Sequence, residues 1–152
     1  MNILIIYKES ELRSEHEHLS SFGHESINKI FYSLTNNVKN INFDLFDGII
    51  LHHSTKPHLD PNFNFISKKI SLFKGLKCLF IHDIHINTNQ LFRMLEKIKF
   101  NIIFTSIPKE SITKIFPPRI LEETNFISSL RGYFNQKHLK HIKIKPIKER
   151  EF

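Results

Sequence analysis

Short apolar runs recur along this chain, and each of them ends in polar or ionisable residues. The clearest runs, each with the residue that follows it, are 2–7 (Lys8), 47–51 (His52), 76–81 (His82) and 101–104 (Thr105). Continuous apolar runs of this length suit strands that are buried on both faces, as in a parallel sheet. Parallel strands point their carboxyl ends the same way, and ligands bind at that edge. The pattern therefore predicts a parallel sheet whose functional edge collects the polar residues.

Helical periodicity separates these runs. A further strand is predicted over 29–34 and a polar loop over 35–42, and the S-x-x-E form of 14–17 predicts a helix over 14–24. The other predicted helices carry apolar stripes at Phe63, Ile66, Ile70 and Phe73, at Leu91, Met94, Leu95 and Ile98, and at Ile112, Ile115 and Phe116. Strands that alternate with helices over short connections are typical of βαβ units. We therefore expect a single three-layer, Rossmann-like α/β domain with a mostly parallel sheet.

Charge is distributed unevenly along the chain. Residues 1–60 hold five Lys/Arg and eight Asp/Glu, whereas residues 61–152 hold seventeen and seven, within a total net charge of +7. The alternation of predicted strands and helices weakens from residue 120, and residues 134–152 are predicted to be a basic linker or tail. A basic half is typical of nucleic-acid or anionic-surface binding, or of a solvated lysine-rich surface. No zinc-ligand pairs, RNP motif or helix-turn-helix pattern accompanies it, so we expect no specific nucleic-acid partner.

The compartment is inferred from cysteine usage and hydropathy. Cys78 is the single cysteine and lies inside an apolar run, which excludes an internal disulfide and fits an inert buried thiol in a reducing compartment. No stretch approaches the roughly 18 apolar residues of a transmembrane helix. The first strand begins at once, with no signal-peptide pattern before it. We therefore expect a cytoplasmic protein with no transmembrane segment.

The sequence lacks the motifs of several familiar nucleotide-binding and nucleophile sites, which argues against those sites. The first strand is followed by Lys8-Glu9-Ser10-Glu11 instead of a glycine-rich turn, and the chain has only four glycines, which disfavours NAD, FAD and P-loop nucleotides. Phospho-accepting receiver domains carry acidic residues after the first and third strands, where Lys8-Glu9 and His52-His53 stand here. No G-x-S-x-G nucleophile elbow is present. No bound cofactor and no metal ligand are assigned.

Histidine is in excess, with ten residues, and several fall at predicted strand ends. These are His52, His53, His82 and His85, with Asp83 among them. Imidazole and carboxylate groups bind metals or perform acid–base chemistry, so a small metal-dependent hydrolase that uses His82, Asp83 and His85 is one hypothesis. Surface or cap histidines, and a substrate-binding edge, are the others. If the strand continues through them, His52 and His53 point to opposite sides, and we then expect at most one of the two to face a shared site.

The same segments resemble the amino-terminal half of certain bacterial two-Rossmann (GT-B) glycosyltransferases. In that family an "FD-apolar-HYS" strand, a "GLK-apolar-FIQDEY" strand, an "FTCVP" strand and a late "TGY" follow in order, after an HL-x-x-F helix. The corresponding segments here are 46–54, 75–83, 104–108, 132–133 and 18–22. The chain departs from the pattern with His53 for Tyr, His82 for Gln, Ile84 for Glu, His85 for Tyr and Ser106 for Cys. The resemblance covers residues 1–133.

This resemblance implies the acceptor-side half of a glycosyltransferase. Residues 1–133 would form the Rossmann-like domain, and a glycan or other hydroxyl compound would be the acceptor. The implied acceptor-binding residues are His18, His52, Ser54, His82 and Thr105, and the implied catalytic base is Asp83 or a neighbouring histidine. The sugar-nucleotide donor would bind in a second Rossmann domain or a partner chain, so we expect no complete catalysis by this chain alone. The alternative is a non-enzymatic binding domain with a basic tail.

Overall fold

The structure, a computed structural model, describes residues 1–9, 13–23, 27–60 and 63–129. The strands are β1 (Asn2–Tyr7), β2 (Lys29–Leu34), β3 (Gly48–Leu51), β4 (Leu76–Ile81), β5 (Ile102–Thr105) and β6 (Asn125–Ser128). The helices are α1 (Arg13–Ser21), α2 (Phe63–Leu72), α3 (Thr88–Ile98), α4 (Lys109–Ile115) and α5 (Pro118–Leu121). The strands form one sheet in the order β2-β1-β3-β4-β5-β6, and every neighbouring pair is parallel. The predicted single Rossmann-like α/β domain is therefore confirmed.

The two faces of the sheet are covered by different helices. Leu79 and Ile103 are register partners that belong to the main core, which α2, α3, α4 and α5 share. Phe80 lies on the opposite face, because successive strand residues alternate, and its ring is 5.5 Å from that of Phe22 at the end of α1. Helix α1 thus forms the third layer, over the face that α2 and α3 do not cover.

The apolar stripes predicted for the two longest helices supply about a third of the buried residues of the main core. Leu91, Met94, Leu95 and Ile98 of α3 are buried, as are Phe63, Ile66 and Ile70 of α2. Burial of a whole apolar stripe stabilises such helices more than intrinsic propensity does. Each of these helices follows a loop that leaves the carboxyl end of a strand, β3 for α2 and β4 for α3.

Some local predictions differ from the structure. Helix α1 begins at Arg13 and ends at Ser21, so Ser14 lies in its first turn instead of preceding it. The predicted polar loop over 35–42 contains a 3-10 turn, Thr35–Asn40, whose Val38 is fully buried. Strand β6 was not predicted, because a half-exposed edge strand with alternating polar residues gives a weak apolar signal. The predicted tail, 134–152, lies outside the described residues.

No helix within the described ranges is both long and apolar enough to cross a membrane.

Candidate functional site

The order of the strands in the sheet reverses between β1 and β3. The chain leaves β1 for β2 on one side and then returns past β1 to β3 on the other. Ligands in open α/β sheets bind at such a reversal, beyond the carboxyl ends of the strands. Here hydrogen bonds join the segments at the carboxyl ends of β1 and β3. The Lys8 backbone N–H donates to Ser54 Oγ (3.1 Å), and the His52 backbone N–H donates to the Ile6 carbonyl (2.9 Å).

His52 lies just beyond the carboxyl end of β3, at this reversal, and is fully buried. The chain leaves the sheet after β3 and enters a 3-10 turn, His53–Thr55, for which His52 is the N-cap. The Ser54 N–H donates to His52 Nδ1 (3.2 Å), and Ser54 Oγ lies 2.8 Å from the same nitrogen. Because Ser54 Oγ already accepts from Lys8, its own proton is available to His52. Nδ1 of His52 is therefore an acceptor, and Nε2 carries the proton.

The hydrogen-bond chain continues from His52 into α1. Nδ1 of His18 lies 2.9 Å from Nε2 of His52, so the His52 N–H donates and His18 accepts. This assignment places the remaining proton of His18 on its Nε2. Backbone, hydroxyl and two imidazoles thus form one directed chain from Lys8 to His18.

Both imidazoles of this pair are neutral at pH 7. Burial, with smaller repulsive effects from the imidazoles of His53, His18 and His82, lowers the pKa of His52 from 6.5 to about 2. Burial also lowers the pKa of His18. A neutral imidazole offers one donor and one acceptor, which lets it bind a hydroxyl group, exchange a proton or hold a metal ion.

His53 joins the same cluster, contrary to the sequence prediction. Its ring centroid is 3.9 Å from that of His52 and 5.4 Å from that of His18. The expectation that adjacent histidines point apart was wrong because the strand ends at Leu51, and the 3-10 turn rotates His53 back over the α1 face. His82 lies beyond it, with its ring 4.5 Å from that of His53.

Glu15 is a member of the site that the sequence analysis missed. Its Oε1 lies 3.7 Å from Nε2 of His53, and its side chain is only 12% exposed. Oε2 is buried and has no hydrogen-bond partner within the described residues. Glu15 and His18 are three positions apart, so both project from one face of α1. That E-x-x-H spacing was the available signal, whereas the segment was interpreted only as a helix start.

Aromatic rings border the cluster on the α1 face. Phe80 lies edge-on to His18, with 5.1 Å between ring centroids, and it stacks on Phe104 at 4.4 Å. Phe22 lies 5.1 Å from His18 and 5.5 Å from Phe80, so the three rings contact one another. The polar cluster is therefore bounded by apolar surface, which is the usual composition of a small-molecule site.

Asp83 and Thr105, also predicted for the site, have other surroundings. Thr105 is the register partner of Ile81 on the main-core face, and its buried hydroxyl accepts from the Ile107 N–H (3.3 Å). Asp83 has a left-handed backbone (φ 53°) and acts electrostatically on His58, raising a pKa that burial lowers more strongly. The structure thus brings together His18, His52, Ser54 and His82, while the roles of Asp83 and Thr105 stay predictions.

Ligand atoms capable of holding a metal ion converge at one place in the described part of the chain. One atom from each of His18, His52 and His53 lies within 4.8 Å of the other two. The three residues of the hydrolase hypothesis, His82, Asp83 and His85, form no such group there. That hypothesis therefore lacks a convergent set of ligands.

Comparison with known proteins adds no relative. The chain matches no protein-family model, no curated protein and no solved structure at a significant level.

Proposed function

We propose that this chain is the acceptor-side half of a glycosyltransferase-like system and binds a hydroxyl-bearing acceptor at the reversal between β1 and β3. The observation that carries the proposal is the neutral His18–His52 pair, joined by a 2.9 Å hydrogen bond beyond the carboxyl end of β3. Its position matches the edge where α/β sheets bind ligands. The motif resemblance supplies the chemical class of the ligand, a glycan or another polyol.

The direction of the hydrogen-bond chain supports binding more than complete catalysis. Because Ser54 makes His52 Nδ1 an acceptor, His18 presents its Nε2–H to a bound group. An N–H in this position donates to a hydroxyl oxygen but does not remove its proton. Removal of a proton by His18 would require the whole chain to reverse its direction. The rings of Phe22 and Phe80 provide the apolar surface against which the C–H face of a sugar ring packs.

The binding proposal is tested with simple glycosides. The probes are methyl glucoside, methyl galactoside and methyl N-acetylglucosaminide at millimolar concentration, and the measurement is the imidazole ¹⁵N NMR spectrum of the full chain. We expect saturable shifts of the His18 and His52 signals with at least one glycoside. His18→Gln should weaken binding by about tenfold, the equivalent of one hydrogen bond of about 1.4 kcal/mol.

His16→Gln is the matched control, because His16 lies on the same helix but is exposed; its affinity should equal that of the wild type. Asp83→Asn enters the same titration, since Asn tolerates the left-handed backbone. Weaker binding at an unchanged thermal midpoint would support Asp83 as an acceptor residue, and the reverse would make it structural. The binding proposal fails if no glycoside shifts the His18 signal, or if His18→Gln binds normally.

A second prediction concerns the donor. The 152-residue chain should release no nucleoside diphosphate from UDP-glucose or UDP-N-acetylglucosamine, with or without methyl glycosides. Donor phosphates need cationic groups and helix N-termini, and β1 is followed by Lys8-Glu9 instead of a phosphate-binding glycine turn. A coupled assay for nucleoside diphosphate measures this. Sustained release that His18→Gln abolishes would contradict the assignment of an incomplete half.

The non-enzymatic alternative, with a basic tail that binds a partner, stays a prediction because the tail lies outside the described residues.

A further inference from the structure

We propose that His18, His52 and His53 form a binding site for a divalent transition-metal ion of the zinc type. One atom from each side chain lies within 4.8 Å of the other two, beyond the carboxyl end of β3. This inference goes beyond the proposed function and does not depend on it, because an ion can bind here whether or not a carbohydrate binds at the reversal.

The cluster is close to the geometry that zinc needs. A tetrahedral Zn²⁺ with Zn–N bonds of about 2.0 Å keeps its ligand nitrogens about 3.3 Å apart. Nδ1 of His18 and Nε2 of His52 are 2.9 Å apart, so they must separate by only a few tenths of an ångström. The ligand atoms of the three histidines lie within 4.8 Å of one another, so no pair has to close by more than about 1.5 Å. Rotation of the half-buried His18 and His53 rings, beside the fully buried His52, would supply these shifts.

Ser54 offers His52 the outer hydrogen-bond partner that a ligating histidine uses. Coordination through Nε2 moves the proton of that ring to Nδ1, so the Ser54 backbone N–H, which donates to Nδ1 at 3.2 Å, loses this acceptor when the ion binds. Ser54 Oγ lies 2.8 Å from Nδ1 and has a second lone pair to accept this proton, since the Lys8 N–H uses only one. An outer hydrogen-bond partner of this kind fixes the ring orientation of metal-binding histidines.

Glu15 supplies an independent indication of a cation. Its side chain is only 12% exposed, and its Oε2 has no hydrogen-bond partner within the described residues. A buried carboxylate is costly unless a cation or hydrogen bonds offset its charge. Its Oε1 lies 3.7 Å from Nε2 of His53, so this carboxylate stands beside one of the three candidate ligands. Carboxylate, histidine and metal in line are a common arrangement of zinc sites.

The ligand set selects the class of ion. Imidazole nitrogens suit Zn²⁺, Cu²⁺, Ni²⁺ and Co²⁺, whereas Mg²⁺ and Ca²⁺ prefer oxygen ligands. Three protein ligands leave a fourth position open, as in sites where zinc holds water or a substrate oxygen. A hydroxyl-bearing ligand at the reversal is the group that this position suits.

The test is a zinc titration of the full chain, without carbohydrate, in competition with a chromophoric chelator. We expect one equivalent of Zn²⁺ to bind much more tightly than the remaining histidines bind it. His18→Gln and His53→Gln should each weaken this site by about 100-fold or more, and Glu15→Gln by about 10–100-fold, as is usual for an outer partner. The control His16→Gln should stay within about twofold, and Mg²⁺ should not compete.

Co²⁺ provides a second measurement, because a four-coordinate site gives intense visible absorption that weak surface histidines do not. Circular dichroism establishes that each variant is folded. The proposal is overturned if wild type shows no tight equivalent, or if folded His18→Gln and His53→Gln bind Zn²⁺ as His16→Gln does. Failure of the glycoside titration would leave these outcomes unaffected, so the two proposals fail separately.

Discussion

Acidification from pH 7 to pH 4 should lower the free energy of unfolding by about 3 kcal/mol through His52 alone. Burial lowers the pKa of His52 from 6.5 to about 2 in the folded protein, and the imidazoles of His18, His53 and His82 facing it act in the same direction. Below pH 6.5 the His52 imidazole is therefore protonated in the unfolded chain but stays neutral in the folded protein. The stabilisation is complete above pH 6.5 and is lost progressively as the pH falls towards 2.

Urea denaturation at a series of pH values measures this effect, with a chelator present so that no metal binds. Carboxylates titrate over part of the same range, so the decisive quantity is the difference between wild type and His52→Leu, each relative to its own stability at pH 7. His52→Leu should lose about 3 kcal/mol less than wild type over this interval. His16→Gln, which changes an exposed residue, should follow the wild type. Identical pH profiles for wild type and His52→Leu would contradict a buried neutral His52.

Replacement of Lys69 by Met should lower the free energy of unfolding by about 3 kcal/mol. Lys69 lies on α2, and its ammonium group donates to three carbonyls at the end of the 3-10 turn Thr35–Asn40, while also lying 4.7 Å from the centroid of the Phe43 ring. The acceptors are the carbonyl oxygens of Val38 (3.0 Å), Lys39 (3.3 Å) and Ile41. Met keeps the apolar stem but leaves these carbonyls without the cation, so the turn loses its attachment to α2.

Lys68→Met is the matched control, because Lys68 is the neighbouring residue on α2 and is exposed. Thermal and urea unfolding of both variants at pH 7 provides the comparison. Lys68→Met should lie within about 0.5 kcal/mol of the wild type, as is usual for surface substitutions. Equal stability of the two variants would show that the contacts of Lys69 contribute nothing, and that the turn docks through Val38 alone.

The strands and the main helices could be predicted because their signals are local. β1, β2 and β4 have the residue bounds that their apolar runs predict, and the stripes of α2 and α3 are buried as expected. A strand whose centre is buried on both faces, as in β1 and β4, needs a continuous apolar run, whereas β2 lies at an edge of the sheet and is largely exposed. A helix packed on one face of the sheet needs an apolar stripe with a period of 3.6 residues. These patterns are local in the sequence, so they can be recognised without knowing which other elements the strand or helix packs against.

Which strand-end residues would meet was decided by the tertiary structure. His52, His82, Asp83 and Thr105 were predicted to lie at one edge of the sheet, and the carboxyl ends of β3, β4 and β5 do lie together there. Alternation along β5 then places Thr105 on the main-core face, and the left-handed backbone at Asp83 accompanies its interaction with His58. The carboxyl ends of parallel strands lie at the same edge of the sheet. The face of the sheet on which a side chain lies, however, depends on the residue at which its strand ends.

The sequence by itself determined a parallel α/β sheet with its histidines at the carboxyl edge, because apolar runs and the residues after them are contiguous in the chain. Only the tertiary structure decided that the 3-10 turn rotates His53 beside His52, and that α1 lies close enough for His18 to accept a hydrogen bond from His52. Glu15 entered the site in the same way. The pairing of distant side chains depends on strand order, strand length and helix docking, which arise from packing of the whole domain and leave no local pattern.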